Sequence, residues 1–184
     1  AERLGLTVAI FCAGTPSTRG TMKMLEVMGV DDPAELQELR YRGHGWPGMA
    51  AAARTDGGAT RELTYQESWG EILQEHRQWR CRLCADHTGE HADISVGDPW
   101  YRELEPGEPG RSLVIVRTAR GREALRAAMA SGHLALEQID PELLPASQPN
   151  LLRTRGSVWG RITTLALLGL PAPRYPGVSM FRYW

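Results

Sequence analysis

The sequence has few cysteines, no excess of charge of either sign and no long apolar run. Three cysteines in 184 residues are too few, and odd in number, for a disulfide scaffold, so we expect reduced thiols in a cytoplasmic protein. The 21 basic and 22 acidic residues give a net charge of −1, which argues against a nucleic-acid groove or a polybasic membrane surface. No stretch approaches the ~20 apolar residues of a membrane span, and no signal peptide is expected.

Apolar patterning predicts strands in an α/β order. Leu6–Phe11 is a continuous apolar run, which favours a strand covered on both faces. Met49–Arg54 and Thr60–Thr64 flank Asp56-Gly57-Gly58, and this pattern predicts a hairpin. Leu113–Val116 is a second apolar strand. A helix after it and a strand at Leu134–Glu137 would form a right-handed crossover.

Helical spacing and end signals predict the remaining elements. Ser17 or Thr18 begins a helix that Gly29 ends, and apolar residues at helical spacing predict further helices at Tyr65–Glu75, Arg122–Ser131 and Leu151–Leu168. We therefore expect an α/β fold: a mixed sheet with flanking helices, a Cys-bearing turn and an extended aromatic C-terminal tail. Residues 1–140 would form the domain, and residues 141–184 a Pro-rich connector, a helix and a tail packed on it.

The cysteines are the first candidates for chemistry. Cys81 and Cys84 form a CxxC pair, whose thiolates can reach one metal, and Cys12 follows the first predicted strand. Spacing alone leaves two options open: an iron–sulfur cluster, or a Cys3His zinc site that uses His76 or His87. Cys12 could also be an ordinary buried residue.

A Gly-rich turn is the second candidate. In Arg42-Gly43-His44-Gly45-Trp46-Pro47-Gly48 the glycines would let backbone N–H groups approach a phosphate, Arg42 would supply a forked donor and Trp46 could stack on a flavin ring. Most Gly/Pro runs are plain turns, so this pattern alone is weak. Arg117, on a separate strand, is expected to be neutral for flavin binding.

Three segments together resemble a known family. CRLCADHTGEHADISVGDPW at residues 81–100 is similar to the Cys-rich motif of the coenzyme F420 hydrogenase/dehydrogenase beta-subunit family, in its C-terminal domain. Val8-Ala-Ile-Phe11-Cys12 resembles the family's strand ending in Cys, and residues 40–48 resemble its Gly-rich turn. The likeness covers roughly residues 5–140. Because the family has a further Gly- and Cys-bearing region upstream, we expect a fragment that lacks the N-terminal region.

The resemblance implies an iron–sulfur flavoprotein oxidoreductase. Electrons would pass between a [4Fe–4S] cluster, FAD and a low-potential organic acceptor such as coenzyme F420, with a ferredoxin or another electron-donor protein as partner. The residues that this assigns are Cys12, Cys81 and Cys84 as metal ligands, and Arg42, Gly43, Gly45, Trp46, Ser95, Gly97 and Asp98 as cofactor-binding residues.

A different class of function is also open. The chain could be a non-catalytic, zinc-stabilised binding module or a truncated copy that only binds a partner. The catalytic residues, the physiological acceptor, the fourth cluster ligand and the state of homo- or hetero-oligomerisation are not fixed by the sequence.

Overall fold

The structure, a computed structural model, describes residues 5–105 and 108–178. The chain forms two compact units. The first, which we call the sheet unit, comprises Ala1–Ala13, Leu83–Glu103 and Arg111–Trp184; the second, the ribbon unit, comprises Gly14–Arg82 and Leu104–Gly110. A boundary at residue 140 stays a prediction.

The described residues form five strands and five α-helices. They are β1 (Val8–Ile10), α1 (Thr18–Met28), β2 (Leu36–Arg40), β3 (Ala51–Arg54), α2 (Trp79–Arg82), β4 (Ile94–Gly97), β5 (Leu113–Val116), α3 (Ala119–Ala130), α4 (Leu143–Ser147) and α5 (Pro149–Leu167). A short 3₁₀-helix at Pro33–Glu35 and a π-helix at Gln66–Leu73 complete the set. Among the described residues, no helix is both long enough and apolar enough to span a bilayer.

The sheet unit contains a mixed three-stranded sheet in the order β1-β4-β5, which confirms the expected fold class. β1 runs parallel to β4, and β4 runs antiparallel to β5. β1 lies at the edge, and the exposed fractions of Val8 and Ile10 are 59% and 73%. Val8 and Ile10 lie on the same face, so the prediction that this strand is covered on both faces was wrong: an apolar run does not reveal whether other elements pack on each face.

The ribbon unit is built on α1 and the β2–β3 pair. α1 begins and ends as predicted: Gly29 adopts a left-handed conformation (φ 83°) and its N–H bonds the carbonyls of Leu25 and Glu26. The buried face of α1 packs into a core of residues Met24, Leu25, Met28, Val30, Ala50, Leu63 and Leu73. The methionines are therefore core residues that fill space between helix and strands.

The predicted hairpin is formed only in part. The Asp56 carboxylate does accept the N–H of Gly58 (2.8 Å), as expected of a turn. However, β3 pairs with β2, and the chain after the turn makes only an isolated bridge between Leu63 and Ala50. Turn residues fix where the chain reverses and leave the choice of partner to long-range packing.

The C-terminal part agrees with the sequence in one respect and differs in another. α5 spans the helix predicted at Leu151–Leu168, and Pro149 occupies its first turn. The strand predicted at Leu134–Glu137 is not formed, so the crossover was wrong; Leu134 and Leu136 are exposed. In the described part of the tail, the Tyr175 hydroxyl donates to the carbonyl of Leu83 (2.6 Å). The tail after residue 178 lies outside the described residues.

The buried carboxylate of Asp93 joins three elements of the sheet unit. Just before β4, it accepts hydrogen bonds from the hydroxyl of Thr118 (2.6 Å) and from the N–H (2.9 Å) and hydroxyl (2.8 Å) of Thr7. Thr118 is also the N-cap of α3, since its side chain accepts the N–H of Gly121 (3.1 Å). These hydrogen bonds, of which the one from Thr118 has the largest effect and those from Thr7 the next, lower the pKa of Asp93 to about 2.

This lowered pKa predicts a loss of stability in acid. Because the folded-state pKa lies below the ordinary 3.8, the contribution is complete well above that value and is lost as the pH falls from about 4 to about 2. Asp93→Asn should therefore unfold at lower urea concentration at neutral pH and lose less stability on acidification than the wild type. Thr118→Ala, which also loses the cap, should cost about 1–2 kcal/mol.

Urea unfolding followed by circular dichroism between neutral pH and about pH 3 measures this difference. Asp31→Asn, on an exposed residue of the ribbon unit, is the control and should keep the wild-type pH dependence. A constant stability gap between wild type and Asp93→Asn across this range would contradict the assignment.

Close packing of α3 on β4 gives a second prediction. A Cβ on Gly121 would lie 2.5 Å from the carbonyl oxygen of Asp93, so Gly121→Ala should destabilise by about 1–2 kcal/mol despite the higher helix propensity of alanine. Gly160 in α5 has no atom within 4 Å of such a Cβ, so Gly160→Ala should stabilise by about 0.5–1 kcal/mol. Unfolding midpoints of both variants test the pair. Equal effects would show that α3 does not approach β4 this closely.

Candidate functional site

The Cys-rich segment is a turn held by its own side chains. The thiol of Cys84 donates to the carbonyl of Asp86 (3.2 Å). The Asp86 carboxylate accepts the N–H of Thr88 (3.2 Å) and the N–H of Glu90 (3.0 and 3.1 Å to its two oxygens). Asp86 is thus a turn-capping residue. The segment then enters β4.

The three cysteines are half-buried and belong to different parts of the fold. Cys12 follows β1 and exchanges two hydrogen bonds with His87: its N–H donates to the His87 carbonyl (3.0 Å), and its carbonyl accepts from His87 Nδ1 (3.0 Å). The Sγ of Cys81, in α2, accepts the N–H of Thr15 (3.3 Å). Cys12 and Cys84 belong to the sheet unit, and Cys81 belongs to the ribbon unit.

The described residues do not form a ready metal centre. In residues 5–105 and 108–178, no group of three or more His, Cys, Asp or Glu side chains is placed to hold a metal ion. That Cys12, Cys81 and Cys84 share a metal stays a prediction.

The Gly-rich turn closes on itself. Arg42 Nε donates to the carbonyl of Pro47 (2.8 Å), and the guanidinium lies 5.3 Å from the centre of the Tyr65 ring. A Cβ on Gly48 would lie 2.5 Å from the backbone of Gly43, so this approach requires glycine. These contacts hold the turn in a tight loop. Cofactor binding by Arg42, Gly43, Gly45 and Trp46 stays a prediction.

Ser95, Gly97 and Asp98 lie on or directly after β4. Ser95 is fully buried; its hydroxyl donates to the carbonyl of Gly89 (3.0 Å) and accepts from Arg117 Nε (3.2 Å). Gly97 ends β4 beside the ring of Phe11. The carbonyl of Asp98 accepts from Gln148 Nε2 (2.6 Å). Ser95 therefore ties the Cys-rich segment to β5, and a direct role of the three residues in cofactor binding is untested.

A cavity of about 250 Å³ lies next to this segment, within the sheet unit. The residues that line it are His87, Thr88, Glu90, Ile115, Arg117, Leu144, Pro145, Gln148, Leu151 and Arg155. The Cys-rich segment and β5 form one wall, and α4 and α5 form the other. The volume is below the ~300–1,000 Å³ of pockets for drug-sized ligands, so a whole FAD molecule does not fit inside it.

Arg117 lines this cavity, although the sequence did not identify it as a candidate site residue. It follows β5 and donates to the carbonyl of Thr88 (3.0 Å), more weakly to the Thr88 hydroxyl (3.4 Å), and to Ser95 as above. Arg117 therefore lines the cavity and holds the Cys-rich segment. That its replacement is neutral for flavin binding stays a prediction.

Arg155 and Glu90 were also missed. The two side chains form an ion pair across the cavity wall. A signal was present in the sequence: Arg155 lies four residues after Leu151 and three before Val158, so a basic residue interrupts the buried face of α5. A charge on an apolar helix face indicates a buried partner or a lined cavity.

Comparison with known proteins decides the family. Residues 1–142 match the family model for the C terminus of the beta subunit of coenzyme F420 hydrogenase/dehydrogenase. The chain belongs to this family. The match includes all three cysteines and the Gly-rich turn, and it ends just before α4. A search of curated proteins found no match.

Proposed function

We propose that this chain is an iron–sulfur flavoprotein domain that passes electrons between a [4Fe–4S] cluster, FAD and a low-potential organic acceptor of the coenzyme F420 type. The observation that carries the proposal is the family match over residues 1–142, which identifies a beta-subunit-type oxidoreductase domain. The half-buried thiols of Cys12, Cys81 and Cys84 support it, because thiolates are the usual ligands of such clusters.

The proposed cluster needs a fourth ligand. A [4Fe–4S] cluster is usually held by four cysteines, and the sequence contains three. A fourth ligand would therefore be a non-Cys side chain or a group from outside these 184 residues. The second source agrees with the family, whose members are subunits and so act together with a partner. An electron-donor protein or ferredoxin is the partner that the proposed reaction requires.

The assignment of the flavin rests on the Gly-rich turn. Its three positive-φ glycines and His44 (φ 55°) form a tight loop beside Arg42, so a few shifted contacts would expose backbone N–H groups to a phosphate. Ser95, Gly97 and Asp98 are the proposed contribution of the sheet unit. The protein would supply position and electrostatics, and the cofactor would supply the redox chemistry.

The cysteines can be tested by anaerobic reconstitution with iron and sulfide. The chain alone should give a labile, substoichiometric cluster with broad absorption near ~400 nm, because one ligand is missing. The single variants Cys12→Ser, Cys81→Ser and Cys84→Ser should each lower the iron content, and the triple variant is the control for nonspecific iron. A colourless protein with one bound zinc would instead identify a zinc-stabilised module.

Arg42→Ala tests the flavin turn. If Arg42 contacts a phosphate, the loss of this charge-assisted bond should weaken FAD binding by about 1–3 kcal/mol, measured by quenching of flavin fluorescence. Arg54→Ala is the matched control, since Arg54 lies in the same unit but pairs with Glu35 and Asp56. Trp46→Ala should weaken binding by a smaller stacking contribution. Equal FAD affinity in wild type and Arg42→Ala would show that Arg42 does not bind the cofactor and that this loop is a plain turn.

A further inference from the structure

We propose that the cavity between the Cys-rich segment and α4–α5 binds a small organic anion, with its charged end at Arg117 and its apolar body against the helices. The inference does not rest on the proposed function. It rests on the charges, the apolar wall and the origin of the residues that line this cavity.

The charges of the lining favour an anion. Glu90 compensates Arg155 through their ion pair. Among the described residues, the hydrogen-bond partners of Arg117 are the oxygens of Thr88 and Ser95, all of them neutral. Arg117 therefore leaves the lining with an excess of positive charge. A positive charge at a mostly apolar cavity is costly by itself and attracts an anion more strongly than the same charge in water.

The apolar residues of the lining favour a ligand with an apolar body. Leu144, Pro145 and Leu151 from the C-terminal helices face the cavity together with Ile115 of β5. A volume of about 250 Å³ admits a single ring with a short substituent and excludes a dinucleotide. A ring that bears a carboxylate or a phosphate satisfies both walls.

The polar groups are held in place before any ligand arrives. Three hydrogen bonds fix the guanidinium of Arg117, and the N–H of Glu90 is held by Asp86. Gln148 is fixed by its bond to the carbonyl of Asp98. A site whose groups need no reordering loses less entropy on binding.

The helical wall also lies outside the span that defines the family. Leu144, Pro145, Gln148, Leu151 and Arg155 all follow residue 142, where the family match ends. Half of the lining is therefore contributed by a segment that the family model does not include. The ligand would therefore be specific to proteins that carry this segment.

Titration calorimetry with benzoate, benzamide and inorganic phosphate tests the proposal on the full 184-residue chain. Benzoate has both the charge and the ring, so it should bind at least about tenfold more tightly than benzamide, which lacks the charge-assisted bond, and than phosphate, which lacks the ring. Arg117→Met should lose about tenfold in benzoate affinity for the same reason. Arg126→Met, the same change on an exposed residue of α3, should bind like the wild type.

Leu144→Trp provides a second, independent variant. It leaves Arg117 and its hydrogen bonds intact and fills the cavity, so benzoate binding should be lost even if Arg117→Met does not fold. Absence of benzoate binding to the wild type, equal affinity for benzamide, or unchanged binding in Leu144→Trp would each overturn the proposal. Equal affinity for phosphate would overturn the role of the apolar wall.

Discussion

The sheet unit depends on one carboxylate. Its sheet has three strands of three or four residues each. Such short strands form few backbone hydrogen bonds between segments that are distant in sequence. Asp93 compensates by accepting hydrogen bonds from Thr7, before β1, and Thr118, at the start of α3. The bonds favour the charged form of Asp93, so the same contacts that position β1, β4 and α3 also make the unit sensitive to acid.

The Cys-rich segment inherits its position from this junction. Its turn ends at Asp93, directly before β4. Within β4, the hydroxyl of Ser95 donates to the carbonyl of Gly89 and accepts a hydrogen bond from Arg117. The backbone of Cys12 forms hydrogen bonds with the ring and the carbonyl of His87. The segment is therefore held mainly through backbone, carboxylate and hydroxyl groups, and its thiols contribute little to its shape. This separates structural support from chemistry: a cysteine can be replaced without removing most of the bonds that shape the turn.

Local features were predictable from the sequence, and pairing was not. α1, α5 and β5 were found because helical spacing, a terminal Gly29 and an apolar run act within a few residues. The second segment of the hairpin pairs at one bridge only, and the strand at residues 134–137 is not formed, because the pairing of a strand depends on segments that no local pattern specifies. The cysteines and the Gly-rich turn were identified through family motifs, whereas Arg117 and Arg155 belong to a cavity assembled from three distant segments.

Arg117 shows why such residues matter. A fold selected only for stability would pair a guanidinium beside a cavity with a carboxylate, as it does for Arg155 and Glu90. Here Thr88 and Ser95 fix the orientation of Arg117 without neutralising its charge. The arrangement is costly for the empty cavity and favourable once an anion enters. Since the facing helices lie beyond the family-matched residues, the family's own segment supplies the charge, and the C-terminal segment supplies the wall that encloses it.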